Sequence, residues 1–279
     1  MPSVRSRTWI GWSAAAVGLA AGFVLVRTHC MAPVVPPAPT APARVSTITG
    51  SAWPETARIE SLPMLVFALP LDRFHLEVVD RPMSRDLDGP LRRTAADLAV
   101  NAGFFDERDQ PLGLVVSQGR TLSPWRAALG GGVLGISSGG VGTLYAAEDF
   151  VAPPELQVAI QCRPRLVVDG VVNVRSDDGR RAARTALCLR DRGSVLDVVV
   201  VRAIPQQGPT LMELARALVD RGCVDALNLD GGPSTGVAWR QGDAVHALEP
   251  LGPIRQALLA SRRERSEGAA PAGSSPDSF

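Results

Sequence analysis

Lysine is absent. All 29 cationic residues among the 279 are arginine, so no side-chain amine exists to form a Schiff base or act as a lysine general base. Histidine is nearly absent too. His29, His75 and His246 are the only three, which excludes a histidine-rich metal centre and leaves little for imidazole catalysis. Excess charge is also lacking: the arginines and the 28 acidic residues leave a net +1. Such a balance gives no reason to expect nucleic acid as a partner. Any chemistry must therefore rest on Asp, Glu, Arg, Asn and hydroxyl groups.

Uncharged apolar length is concentrated at one place. Arg5 and Arg7 precede WIGWSAAAVGLAAGFVLV at 9–26, a run of ~18 residues that just suffices to span a bilayer as a helix. No small-x-small cleavage site follows closely, and the basic flank at 1–8 favours a cytoplasmic N-terminus. The sequence therefore predicts a single-pass inner-membrane signal anchor, with the remainder in the periplasm or outside the cell. Residues 27–44, with APVVPPAPTAPA, read as a stiff proline-rich spacer. A globular domain is expected over 45–260, followed by a polar, disordered tail at 261–279.

Three cysteines, Cys162, Cys188 and Cys223, fall in that outer domain, where disulfides persist. Cys188 and Cys223 each sit at the edge of a strand-like segment and are the expected pair. Three buried thiols is the alternative reading.

Strand signals dominate the domain: 74–80, 97–105, 112–119, 141–147, 156–162, 165–174, 184–190 and 195–203 are rich in Val, Leu and Ile, with Gly-containing turns between several of them. One helix is clearly punctuated. Thr210 and Glu213 form a T-x-x-E capping box before LMELARALVDR, and Gly222 is placed to end it. Glu213 is accordingly a cap and not a catalyst. The expected fold class is α+β, a strand-rich mixed-sheet domain with a few packed helices, preceded by one transmembrane helix.

Alternation locates a candidate site. In ALNLD, Leu227 and Leu229 face one way while Asn228 and Asp230 face the other; in LAVNAGFF, Val100 and Ala102 oppose Asn101 and Gly103. Burying those polar groups without partners costs several kcal/mol, roughly, so that face is solvated or functional. Two familiar patterns fail on context. G-x-G-x-x-G at Gly130, Gly132 and Gly135 lacks the strand-then-helix frame of a dinucleotide site. GISSG at 135–139 lacks the helix that a nucleophile elbow requires.

DGGPST at 230–235 is richer than a hairpin turn needs. Successive backbone N–H groups there can form an anion-binding nest, with Ser234 and Thr235 adding hydroxyls. Asp230 stands at a strand end, where a catalytic carboxyl can be held rigidly. Arg184 offers a planar fork for a phosphate, although a plain surface arginine is the simpler reading from spacing alone.

Four ordered blocks, VNAGFFDERDQPLGL (100–114), AIQCRPRLVVDG (159–170), ARTALCL (183–189) and ALNLDGGPST (226–235), resemble the phosphodiester glycosidase family. The resemblance implies a compact domain of strands and helices and removal of a sugar joined through phosphate to another group. It implies pocket roles for Asn101, Gly103, Arg184, Asp230, Gly231, Gly232 and Ser234. Arg184 and the 231–235 backbone would hold the phosphate, with Thr235 beside them. Asp230 would act at the anomeric carbon or on the leaving oxygen, while Asn101 and Asn228 orient the sugar. Glycoside hydrolysis commonly uses two carboxylates, and Asp106 is the candidate partner. Arg163 and Pro233 depart from the family's pattern; the former adds a cation and the latter removes an N–H from the nest. No cluster with metal-ligand spacing is present in the sequence, and no cofactor is expected. A sugar-phosphate-binding module and a structural envelope partner remain as rival functions of the same residues.

Overall fold

The computed structural model describes residues 53–59, 62–202 and 207–263. The expected basic flank, anchor and spacer at 1–44 lie outside the described residues. No helix among the described residues is long and apolar enough to cross a membrane.

Among the described residues, seventeen strands and two α-helices follow in order: β1 (Glu55–Ile59), β2 (Leu62–Pro70), β3 (Phe74–Ser84), α1 (Asp88–Arg93), β4 (Leu98–Asn101), β5 (Val115–Ser117), β6 (Arg120–Ser123), β7 (Gly132–Ser137) and β8 (Gly142–Ala146). Then come β9 (Leu156–Cys162), β10 (Arg165–Val168), β11 (Val171–Val172), β12 (Arg184–Arg190), β13 (Val195–Val201), α2 (Leu211–Asp220), β14 (Asp225–Asn228), β15 (Val237–Gln241), β16 (Ala244–Leu248) and β17 (Ile254–Arg262). They form a seven-stranded sheet ordered β1-β2-β13-β12-β14-β10-β11, a five-stranded sheet β16-β15-β4-β17-β3, and a second five-stranded sheet β6-β5-β9-β7-β8.

The strand-rich, helix-poor expectation holds, with one correction. Every strand pairing among the described residues is antiparallel, so the sheets are not mixed. Six of the antiparallel pairs, such as β12 with β13 and β15 with β16, join strands consecutive in the chain, while others, such as β2 with β13 and β4 with β17, bring together strands far apart in sequence. β17 also runs past the expected domain boundary at 260, with Ser261 and Arg262 paired to β3, and the rest of the expected tail, from 264, lies outside the described residues.

Alternation explains the layers. Leu187 and Leu189 of β12, Leu227 of β14, Val100 of β4, Ile160 of β9 and Leu258 of β17 meet in the central core. The opposite face of the seven-stranded sheet presents Ala186, Cys188, Val199 and Ala226 to α2, which buries Leu214, Ala215 and Leu218 on it. Each fully buried leucine there contributes roughly 2 kcal/mol. The capping box forms as read: the Thr210 hydroxyl accepts from the Glu213 N–H and the Glu213 carboxylate accepts from the Thr210 N–H. Glu213 also receives the Arg181 guanidinium, so its carboxylate is fully engaged in structure. Cys188 and Cys223 are bridged, and Cys162 is a free, buried thiol. The bridge ties the chain leaving α2 to the centre of β12. Gly132 and Gly135 lie within β7, and β8 follows GISSG after a turn, in agreement with setting both motifs aside.

Candidate active site

The site lies where the chain passes between two sheets. After β14 ends at Asn228, the Leu229 N–H still bonds to the Thr185 carbonyl of β12 (2.9 Å), but the Asp230 N–H bonds to the Ala102 carbonyl beyond β4 (3.0 Å). Asp230 therefore stands at a seam between the seven-stranded sheet and the β4 sheet.

Asn101, 1% exposed, holds that seam. Its Nδ2 donates to the Asp230 carbonyl at 2.7 Å, and its Oδ1 accepts from the Thr185 hydroxyl at 2.7 Å and the Gly236 N–H at 3.1 Å. The amide thus joins β4, β12 and both ends of the 230–236 loop. Asn101 therefore holds the Asp230 backbone in place. Sequence reasoning missed Thr185, although it directly follows Arg184 in the RTALCL block.

The Asp230 carboxyl is largely desolvated, and burial is the main effect pushing its pKa above the ordinary carboxylate value. A hydrogen bond from the Ser234 hydroxyl and one from the Gly231 N–H, at 2.9 Å to Oδ1, oppose the rise. Ser234 Oγ also lies 3.0 Å from the Pro253 carbonyl, so one hydroxyl proton serves two acceptors. The Cys162 thiol lies within electrostatic reach of the same carboxyl. Its burial, with the negative charge of Asp230 adding, pushes the thiol pKa up to about 12, and it is a neutral neighbour.

The 231–235 loop departs from the expected nest. Gly231 N–H serves Asp230 itself, while Gly232 N–H donates to the Ala183 carbonyl, Ser234 N–H to Gly231 and Thr235 N–H to Gly232. A short 3₁₀ turn over Gly232–Ser234 directs these donors into the protein, and Pro233 has none. The glycines serve close approach instead. Gly231 lies so near β12 that a Cβ there would stand 3.0 Å from the Ala183 carbonyl, and Gly232 has φ +59°, which favours glycine.

Asp106 also departs from expectation. Its Oδ1 accepts from the N–H groups of Arg108 and Gln110, both at 2.9 Å, closing a tight loop. It is not among the groups that shift Asp230. Asn228 lies on the α2 face opposite Ala186. Its Nδ2 holds the carbonyls of Arg163 (2.9 Å) and Leu229 (2.8 Å), and its Oδ1 is buried without a partner. Thr235 Oγ1 and Gln256 Oε1 are likewise buried and unpartnered, and a Cβ on Gly103 would stand 2.7 Å from that Gln256 oxygen.

Arg184 is partly buried at the start of β12. Its guanidinium contacts the Pro209 carbonyl (3.2 Å) and the Arg180 carbonyl (2.6 Å). Burial lowers its pKa, and nearby Asp178 acts in the opposite sense. It forms no ion pair among the described residues, and its guanidinium is held by the two carbonyls. Two surface clefts, one beside His75, Ser137 and Gln157 and one between β1 and α2, include none of these residues. Among the described residues no group of three or more His, Cys, Asp or Glu is placed to hold a metal ion.

A family model described as phosphodiester glycosidase matches residues 94–258, which contain every site residue above. The chain belongs to the phosphodiester glycosidase family. YigE of Escherichia coli is 36% identical over 87 residues, covering 28% of this chain and 34% of that protein. The match thus spans about a third of that relative's length. Among solved structures, the fold resembles the catalytic domain of zebrafish N-acetylglucosamine-1-phosphodiester alpha-N-acetylglucosaminidase auto-inhibited by its pro-peptide, with TM-score 0.59 and 17% identity over 76% of this chain and 83% of that one. A hypothetical protein from Synechocystis gives TM-score 0.53 and 18% identity over 75% and 61% of the two chains. At such identities the structural likeness establishes the fold, and the family match points to a glycosidase-type hydrolase.

Proposed function

We propose that this phosphodiester glycosidase hydrolyses the glycosidic bond of a sugar-1-phosphodiester in envelope or exported glycans. Residues 9–26 anchor it in the inner membrane, and the domain faces the periplasm. The observation that carries the chemistry is Asp230: a desolvated carboxyl of raised basicity, held through its backbone by Asn101. The name of the zebrafish relative supports the substrate class.

A phosphomonoester leaves readily, so the proton to be managed is that of the attacking water. The water oxygen bonds to the anomeric carbon as the bond from that carbon to the phosphate oxygen breaks. The bonding pair departs with the phosphate, and Asp230 takes the water's proton. The products are a free sugar and a phosphomonoester. Arg184, a cation without a carboxylate partner, meets the phosphate charge. The unpartnered oxygens of Asn228 and Thr235 receive sugar hydroxyls. A second reading, a binding module without turnover, is favoured by one observation: among the described residues, no carboxylate contributes to the pKa shift of Asp230.

The two separate on one assay. The full chain in detergent is given a panel of sugar-1-phosphodiesters, and release of reducing sugar is followed for wild type and Asp230→Asn. The glycosidase predicts turnover that falls by ~10²–10⁴-fold in the variant, the scale of a lost general base. Saturable binding without turnover by the wild type would establish the module.

A further inference from the structure

The loop between β6 and β7, SPWRAALGG at 123–131, is exposed along most of its length yet rigidly held. Gln161 of β9 is 0% exposed. Its Oε1 accepts from the Leu114 N–H (3.0 Å) and the Arg126 N–H (3.1 Å), and its Nε2 donates to the Arg126 carbonyl (2.9 Å) and, at 3.4 Å, towards the Gly130 carbonyl. The far end of the loop is equally constrained. Gly131 adopts φ +75°, and a Cβ on it would stand 2.6 Å from that of Arg163. A buried amide with both of its polar atoms committed to an exposed loop fixes whatever the loop displays.

What it displays is Trp125, 40% exposed, followed by Arg126. Arg126 and Arg163 are both exposed, and neither side chain has an ion pair or hydrogen bond among the described residues. This rim adjoins the site through the chain itself. Gln161 precedes Cys162, whose thiol lies within electrostatic reach of Asp230, and the Arg163 carbonyl is held by Asn228.

We propose that Trp125, with Arg126 and Arg163, forms an outer subsite that binds a further sugar of an anionic, phosphate-bearing glycan. One face of a pyranose is a patch of C–H groups that packs on an indole ring, while the ring's N–H and the two guanidiniums meet hydroxyls and phosphate charge. The protein then reads an extended glycan rather than a single sugar phosphodiester. Gln161 positions the subsite by holding the loop. The inference rests on the proposed sugar-1-phosphodiester substrate for its ligand class.

The test compares two defined ligands on the full chain in detergent: a glycosyl-1-phosphodiester carrying one sugar, and one carrying three or more sugars and a second phosphate. Turnover and calorimetric binding are measured for wild type, Trp125→Ala and Trp125→Phe. In the alanine variant, KM and Kd for the longer ligand should rise about ten-fold more than for the shorter one, the scale of one lost aromatic stack. kcat should hold, and phenylalanine should restore part of the loss. Equal effects on both ligands, or none, overturn the subsite. Should the wild type hydrolyse neither ligand, the proposed activity fails while the binding arm still decides. A Kd for the longer ligand that Trp125→Ala leaves unchanged, or no wild-type binding of it, overturns the subsite as well.

Discussion

Replacing Asn101 with alanine tests the centre of the argument, because one amide supports three elements. The substitution strips partners from the Asp230 carbonyl, the Thr185 hydroxyl and the Gly236 N–H. Thr185 is 0% exposed and Gly236 is buried, so water cannot readily replace the amide at those two groups. Each buried orphan costs about 1–3 kcal/mol, and these two together come to about 4 kcal/mol, a large fraction of the roughly 5–15 kcal/mol available to a domain. For a domain of this size the melting temperature should fall by about 8–16 °C. The kinetic signature is separate from the thermal one. With Asp230 loosened, kcat should drop while the Kd for substrate changes little, because a positioning role is expressed in the transition state. Thr185→Val removes only the donor to Asn101 Oδ1 and should cost about 1 kcal/mol in the wild type. In the alanine background it should cost much less, a coupling that a double-mutant cycle reads directly. Thermal unfolding and turnover at a temperature well below both transitions provide the data. Asn101→Ala with a melting temperature within about 2 °C of wild type and an unchanged kcat would refute the buttress.

Two further outcomes follow from the same geometry. Burial raises the Asp230 pKa, so between the ordinary carboxylate value and the raised one the folded chain holds more protons than the unfolded chain. Stability should therefore fall as pH rises through that window and stay level above it. Asp230→Asn should be more stable than wild type at neutral pH, with the gap closing as pH drops, and kcat/KM of the wild type should rise with pH through the same window; a stability gap independent of pH would contradict the assigned burial. The Cys188–Cys223 bridge closes a 35-residue separation, for which chain entropy gives about 4 kcal/mol. Urea unfolding of Cys188→Ala/Cys223→Ala should show a loss of that order, and a midpoint equal to wild type would show that the bridge adds nothing.

What could be read from the chain depended on how local the cause was. The helix α2 was legible because Thr210, Glu213 and Gly222 set its ends within 13 residues of one another, and the alternation of Leu227 and Leu229 against Asn228 and Asp230 fixed which face carried polar groups. β17 gave no comparable signal. Its IRQALLASR is rich in Ala, Leu, Arg and Gln, which favour helix, and only its place between β4 and β3 makes it a strand. β4 was expected to continue to Phe105 but ends at Asn101. Beyond it the Ala102 carbonyl receives the Asp230 N–H, a partner 128 positions away that no local pattern announces. The bonds of Asn101 and Asp106 were hidden for the same reason: residue type suggests chemistry, while the partners that occupy each side chain depend on segments far off or on a loop's exact turn.

The direction of the loop's N–H groups changes how charge is recognised. With the donors of Gly232, Ser234 and Thr235 turned to Ala183, Gly231 and Gly232, the 231–235 backbone adds little positive potential. The orphaned atoms there are oxygens, Asn228 Oδ1 and Thr235 Oγ1. An amide oxygen can only accept, so the Asn228 oxygen fits a hydroxyl hydrogen of a sugar and repels a phosphate oxygen. Under the proposed function, the phosphate charge then falls to guanidinium groups, those of Arg184, Arg163 and Arg126. In a chain without lysine, any side-chain cation apart from histidine that meets a phosphate is a planar, permanently charged fork. Desolvation alone does not neutralise such a group, so Arg184 keeps its charge in a partly buried position where a lysine would be more readily deprotonated.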